Sequence, residues 1–176
     1  MNGKIVGIVI LISALVAGAA MYYLQVYGFY QEVDAPAEGI TLVTLDDGAA
    51  QTIPYDSFTA IDAASSPIRY RACFATSASL GQLKETYETV DGAVPRNAPG
   101  WFECFDATAI AGQLDAGTAL TFLGAKNVHY GVDRIVAITE DGRGYIWHEL
   151  NDCGAKAYDG TVVGEECPPL PQAADQ

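Results

Sequence analysis

Val132-Asp133-Arg134-Ile135-Val136-Ala137-Ile138-Thr139 runs into Glu140-Asp141-Gly142-Arg143 and returns through Gly144-Tyr145-Ile146-Trp147-His148-Glu149-Leu150. Two runs rich in β-branched and aromatic residues, joined across an Asp-Gly pair, predict a β-hairpin. Before it, 118–124 reads as a further strand. Asp106 is placed to cap a small-residue helix through about Ala116, and Gly117 closes it. Residues 101–105 read as a strand. Residues 93–100, with Pro95, Pro99 and Gly100, read as a loop.

Further upstream, Leu80, Leu83 and Tyr87 recur at spacings of three and four, so 76–90 predicts an amphipathic helix with Ser77 or Ser79 as N-cap and an end at Asp91-Gly92. Ile68, Tyr70, Ala72 and Phe74 alternate with Arg69, Arg71 and Cys73, which predicts a strand. Residues 56–64 are ambiguous and fit one short helix, broken at Ser65-Ser66-Pro67. Residues 40–45 read as a strand ended by Asp46-Asp47-Gly48, with 51–54 as its partner. Strands before, between and after two helices give an α+β class: a mainly antiparallel sheet with about two helices on one face.

The chain has 176 residues and a formal charge of −13, from 9 basic and 22 acidic side chains. Apart from the apolar N-terminal run, its length suits one domain. Nucleic acid is not an expected partner, because phosphate binding needs a basic patch. A polybasic attachment to anionic lipid is disfavoured for the same reason.

Residues 5–24 hold Ser13 as their only polar side chain, and as a helix they match the roughly 30 Å hydrocarbon core of a bilayer. Tyr22, Tyr23, Tyr27, Phe29 and Tyr30 follow, residue types that favour the membrane interface. Ala17-Gly18-Ala19 offers a signal-peptide cleavage site, but the apolar character continues past it, which favours an uncleaved anchor. Lys4 lies on one side of the run, and Glu32, Asp34 and Glu38 lie on the other. The positive-inside rule therefore puts the N-terminus in the cytoplasm and the domain in the periplasm, with the anchor in a bacterial inner membrane. Gly3 and Gly7, then Ala14 and Gly18, are spaced for close helix–helix approach. The organisation expected is an anchor over 1–30, a linker over 31–38, a domain over 39–167 and a disordered Pro-containing tail over 168–176.

Cys73, Cys104, Cys153 and Cys167 form no CxxC pair, which argues against structural zinc and against a thioredoxin-type site. Outside the cytoplasm an even number of cysteines reads as disulfides. Of the three possible pairings, Cys73–Cys104 is favoured because both have aromatic neighbours on expected strands. Cys153–Cys167 then closes a Gly-rich, turn-rich segment with little core of its own.

Motifs that carry chemistry are missing. There is no phosphate loop and no nucleophile elbow. His148-Glu149-Leu150-Asn151-Asp152 resembles a zincin signature, but Asp replaces the second His, and on a strand the i and i+4 positions lie roughly 13 Å apart. His129 and His148, with Glu149 or Asp133, form a candidate divalent-metal set; the alternative is two ordinary half-buried histidines. Arg69 and Arg71 are candidates for binding a small anion, against simple pairing with nearby carboxylates. Arg96 and Trp101 sit on a Pro-rich loop as candidate contacts for a partner or ligand, against a core role for Trp101. No cofactor is expected.

The opening through Tyr30, together with 70–74, 101–105 and 132–138, resembles an uncharacterised alphaproteobacterial family of short single-anchor membrane proteins with an extracytoplasmic domain. The resemblance implies no activity. Some members carry a histidine kinase label, which this sequence does not support, since it lacks nucleotide-binding glycine boxes and room for a dimerisation helix pair and an ATPase lobe. The expectation is a non-catalytic accessory or interaction subunit of a larger membrane assembly, meeting another membrane or periplasmic protein. The alternative is a periplasmic domain that senses a small ligand or metal.

Overall fold

The structure, a computed structural model, describes residues 2–169. The tail expected over 168–176 therefore falls, from residue 170 onward, outside the described residues. Helix α1, Gly3–Tyr23, is capped by Asn2 and runs into a π-helical turn at Leu24–Gly28. From Gly3 to Gly28 it is long and apolar enough to cross a membrane, and none of it is buried against the domain.

The strands are β1 Gln31–Val33, β2 Thr41–Val43, β3 Ala50–Thr52, β4 Asp56–Asp62, β5 Arg71–Ala75, β6 Ala119–His129, β7 Val132–Thr139 and β8 Arg143–Leu150. The domain helices are α2 Leu80–Thr86 and α3 Ala107–Asp115. Six strands form one antiparallel sheet in the order β1-β4-β5-β8-β7-β6, and β2 with β3 form a second, two-stranded sheet. The class is thus the α+β architecture read from the sequence, with both disulfides in the favoured pairing: Cys73–Cys104 and Cys153–Cys167, with Cα atoms 6.3 and 4.9 Å apart.

The hairpin β7–β8 forms the sheet's spine. Its turn needs the positive φ of Gly142, +81°, and the Thr139 hydroxyl ties the two ends by accepting from the Arg143 amide at 3.0 Å. Ile135 to Ile138 is an unbroken apolar run because these strands are covered on both faces. Val136, Ile138 and Ile146 pack with Ala72, Phe74 and Phe122 beneath the small sheet and α2, through Leu42, Ile53, Leu83 and Tyr87. Ile135, Ala137, Tyr145 and Trp147 point the other way, onto Phe105 and the α3 residue Ile110. The two helices were expected against one face; the packing puts one on each, which is what closes the sheet on both sides. Gly144 lies directly across from Phe74, and the absent side chain leaves the space that the ring fills.

Four local expectations are corrected. Residues 31–38, expected as a linker, begin with β1, which pairs with β4 at Gln31–Asp62 and Val33–Ala60. Residues 56–64, expected as a helix, form β4, kinked by a bulge at Ser57, where φ is +54°. The helix expected over 76–90 is only α2, capped by Ser79 and ended at Tyr87, because Thr44–Tyr87 and Thr89–Phe122 bridges pull the following chain into extended pairing. Residues 101–105 form turns, not a strand; Phe102 and Phe105 amides donate to the carbonyls three residues back. Asp106 does cap α3, accepting from the Thr108 and Ala109 amides at 2.9 and 3.0 Å.

Candidate functional site

The apolar helix does not end freely. The Trp101 indole donates to the Val26 carbonyl at 2.7 Å, and its ring stacks on Tyr27 and meets Tyr30 edge-on. Tyr27 in turn stacks on Tyr23, and the Arg69 guanidinium lies 5.6 Å above the Tyr30 ring. The turn that carries Trp101 is held from below. Cys104 bonds to Cys73 on β5, and Phe105, 4 % exposed, plugs edge-on against Tyr145 and Trp147.

Arg71 secures the preceding loop. It is 4 % exposed, and four of its N–H groups donate to carbonyls: Nε to Arg96 at 2.9 Å, Nη2 to Asn97 at 3.0 Å, and Nη1 to Ile68 and Tyr70 at 2.9 and 2.6 Å. Burial pulls its pKa down to about 10, so it remains a cation at neutral pH. Neither expected role, anion binding or carboxylate pairing, uses those protons. Arg96 pairs with Glu149 at 3.0 Å and fixes the same loop to β8. Thus Arg69, Arg71, Arg96 and Trp101 do converge, but on the chain's own backbone, rings and, for Arg96, the Glu149 carboxylate. Only Arg69 Nη1 and the neighbouring Tyr70 hydroxyl are buried without a partner among the described residues.

His129 and His148 also approach each other, with ring centroids 6.1 Å apart. His148 is 3 % exposed; Nδ1 donates to the Pro67 carbonyl at 2.8 Å, which leaves Nε2 to accept from Arg134 at 3.4 Å. Burial, with the Arg134 cation beside it, depresses its pKa to about 4, so it is neutral at pH 7. Its ring stacks on Tyr70, whose hydroxyl burial pushes up to about 12. Glu149, next along β8, turns to the opposite side and serves Arg96 and the Trp147 indole. Asp133 accepts from the Asn127 amide and Asn151. The set of His129, His148 and a carboxylate is therefore not assembled, and among the described residues no three His, Cys, Asp or Glu side chains come together as metal ligands. Gly3, Gly7, Ala14 and Gly18 lie on the exposed anchor with no neighbour from the domain.

Beside the Trp101 turn opens a cleft of about 630 Å³ between β1, β4 and residues 101–104. Its lining includes the aromatic residues Phe58, Trp101 and Phe102 and the acidic residues Glu32, Asp34 and Glu103. Sequence reasoning found Trp101 but missed the rest. Phe102 and Glu103 adjoin Trp101 in sequence, and Glu32 and Asp34 follow the anchor directly, but only the β1–β4 pairing brings these groups together.

A disulfide-stapled α+β domain whose Trp101 hydrogen-bonds the end of an apolar helix is the class that fold and junction define. Residues 40–168 match the family of unknown function DUF6446, and the chain belongs to that family. No curated protein and no solved structure matches it.

Proposed function

We propose that this chain is a non-catalytic interaction subunit of a larger membrane assembly. Its helix would cross a bacterial inner membrane with the N-terminus in the cytoplasm, and the domain would sit in the periplasm. The observation that carries this reading is the contact of Trp101 with Val26, Tyr27 and Tyr30 at the end of the helix. It biases the height and orientation of the domain above the bilayer, which favours docking onto a neighbouring membrane protein. A tethered catalyst acting on diffusing substrates needs no such bias. Lys4 before the helix and acidic residues after it support the orientation. Two disulfides suit an oxidising compartment. The titratable groups with the largest shifts, Arg71, Tyr70 and His148, owe them to burial among internal partners.

The test is purification from native membranes through a C-terminal tag, in mild detergent at low salt, with intact mass read on the product. A stoichiometric membrane partner is expected. A protein that runs alone would overturn the reading, and a mass short by the first 19 residues would overturn the anchor. The sensory alternative rests on the unpartnered Arg69 Nη1 and Tyr70 hydroxyl. It requires a small anion to raise the melting temperature.

A further inference from the structure

We infer that the membrane-proximal cleft receives an extended, arginine-bearing juxtamembrane segment of a second membrane protein, an inference that rests on the interaction reading above. The first argument is charge. Glu32, Asp34 and Glu103 line the cleft with no lysine or arginine among its lining residues, and none of the three forms an ion pair among the described residues. Four basic side chains of the domain are engaged away from the cleft: Arg71 on carbonyls, Arg96 on Glu149, Lys126 on Glu165, Arg143 on Asp141. An occupant that carries its own cations meets these carboxylates unpaired.

The second argument is shape and surface. Phe58, Trp101 and Phe102 are among the residues that line the cleft, and aromatic residues beside carboxylates select a planar guanidinium over a compact ammonium, since arginine stacks and also forks onto a carboxylate. The third is position. Trp101 both walls the cleft and grips Val26, so the cleft opens level with the last turn of the apolar helix. A segment lying there emerges from the membrane alongside the anchor.

The test uses the full chain in phosphatidylcholine nanodiscs and fluorescein-labelled peptides of alternating Arg-Ala, Lys-Ala and Glu-Ala. The Arg-Ala peptide should bind most tightly and the Glu-Ala peptide not at all. The triple variant Glu32→Gln, Asp34→Asn, Glu103→Gln should weaken Arg-Ala binding about tenfold. A second triple, Asp46→Asn, Glu85→Gln, Asp115→Asn, removes the same charge from surfaces outside the cleft and should change binding less than about twofold. Equal weakening by both triples, or no binding of the Arg-Ala peptide at about 1 mM, overturns the inference. If the peptide assay fails while wild type still co-purifies with a membrane partner, the cleft assignment falls and the interaction reading stands. If wild type purifies alone, that reading falls whatever the peptide does.

Discussion

The indole Nε1 of Trp101 and the carbonyl of Val26 lie 2.7 Å apart across 75 residues of sequence, and that hydrogen bond joins the domain to the end of its helix. Trp101→Phe keeps an aromatic ring against Tyr27 and Tyr30 but removes the donor, at a cost of about 1 kcal/mol. Trp101→Ala also removes the stacking and should cost more. In nanodiscs, amides of residues 24–30 should exchange faster in both variants, in that order. Unchanged exchange in Trp101→Ala would mean that the helix end is held by β1 alone.

Arg71→Lys keeps the charge and loses the fork. Carbonyls at Arg96, Asn97, Ile68 and Tyr70 then compete for one ammonium with three protons. A loss on the order of 3 kcal/mol is expected in urea unfolding, since buried acceptors are left unpaired. A shift in midpoint below about 0.5 kcal/mol would show that the loop finds other partners.

Gly144→Ala drives a methyl into the Phe74 ring, which is 4 % exposed and packed among Ala72, Val136 and Ile146. The cost should be about 1–3 kcal/mol. The double variant Gly144→Ala, Phe74→Leu should be more stable than the sum of the single changes. Strict additivity in thermal melts would refute the contact as the cause.

His148 makes stability depend on pH. Its folded pKa is about 4 and its unfolded value is near 6.5, so between those limits the unfolded chain binds the extra proton. Stability from this group is therefore full above about pH 6.5 and falls as pH drops towards 4, by about 3 kcal/mol in all. His148→Asn, which can still donate to Pro67, should show a flatter melting curve across that window. Parallel wild-type and variant profiles would place the pH dependence elsewhere.

The two disulfides close loops of unequal length, 31 and 14 residues apart. Loop entropy predicts losses of about 4 kcal/mol for Cys73→Ser, Cys104→Ser and about 3 kcal/mol for Cys153→Ser, Cys167→Ser. Only the first pair should also loosen the anchor junction, because only it holds the Trp101 turn. Exchange at residues 24–30 separates the two cases.

Much of this architecture is written in local patterns. The 132–150 hairpin, the Asp106 cap and the cysteine pairing each rest on short-range signals: an Asp-Gly turn, a capping side chain, aromatic neighbours. What escaped is what distant residues decide. Residues 101–105 are aromatic-rich like a strand, yet Trp101 is drawn to the N-terminal helix while Cys104 and Phe105 are drawn to the domain, and no straight pleat serves all three. Residues 56–64 carry few large apolar groups; their extended form comes from β1 and β5 on either side. Arg71 reads as a surface strand cation until its partners, 25 and 26 residues away, are known. The histidines meet because β6 bulges between Ala125 and His129, which no spacing rule announces.

The sheet's order has a consequence for biosynthesis. β8 leaves the ribosome after every other strand of the sheet, yet it sits in the middle, between β5 and β7. Until it arrives, β1, β4 and β5 form one fragment and β6 with β7 another, with no hydrogen-bonded seam between them. Between the completion of β7 at Thr139 and of β8 at Leu150, the growing chain holds two open half-sheets. A truncation before Arg143 should yield, not a smaller domain, but unpaired edges awaiting a strand that never comes.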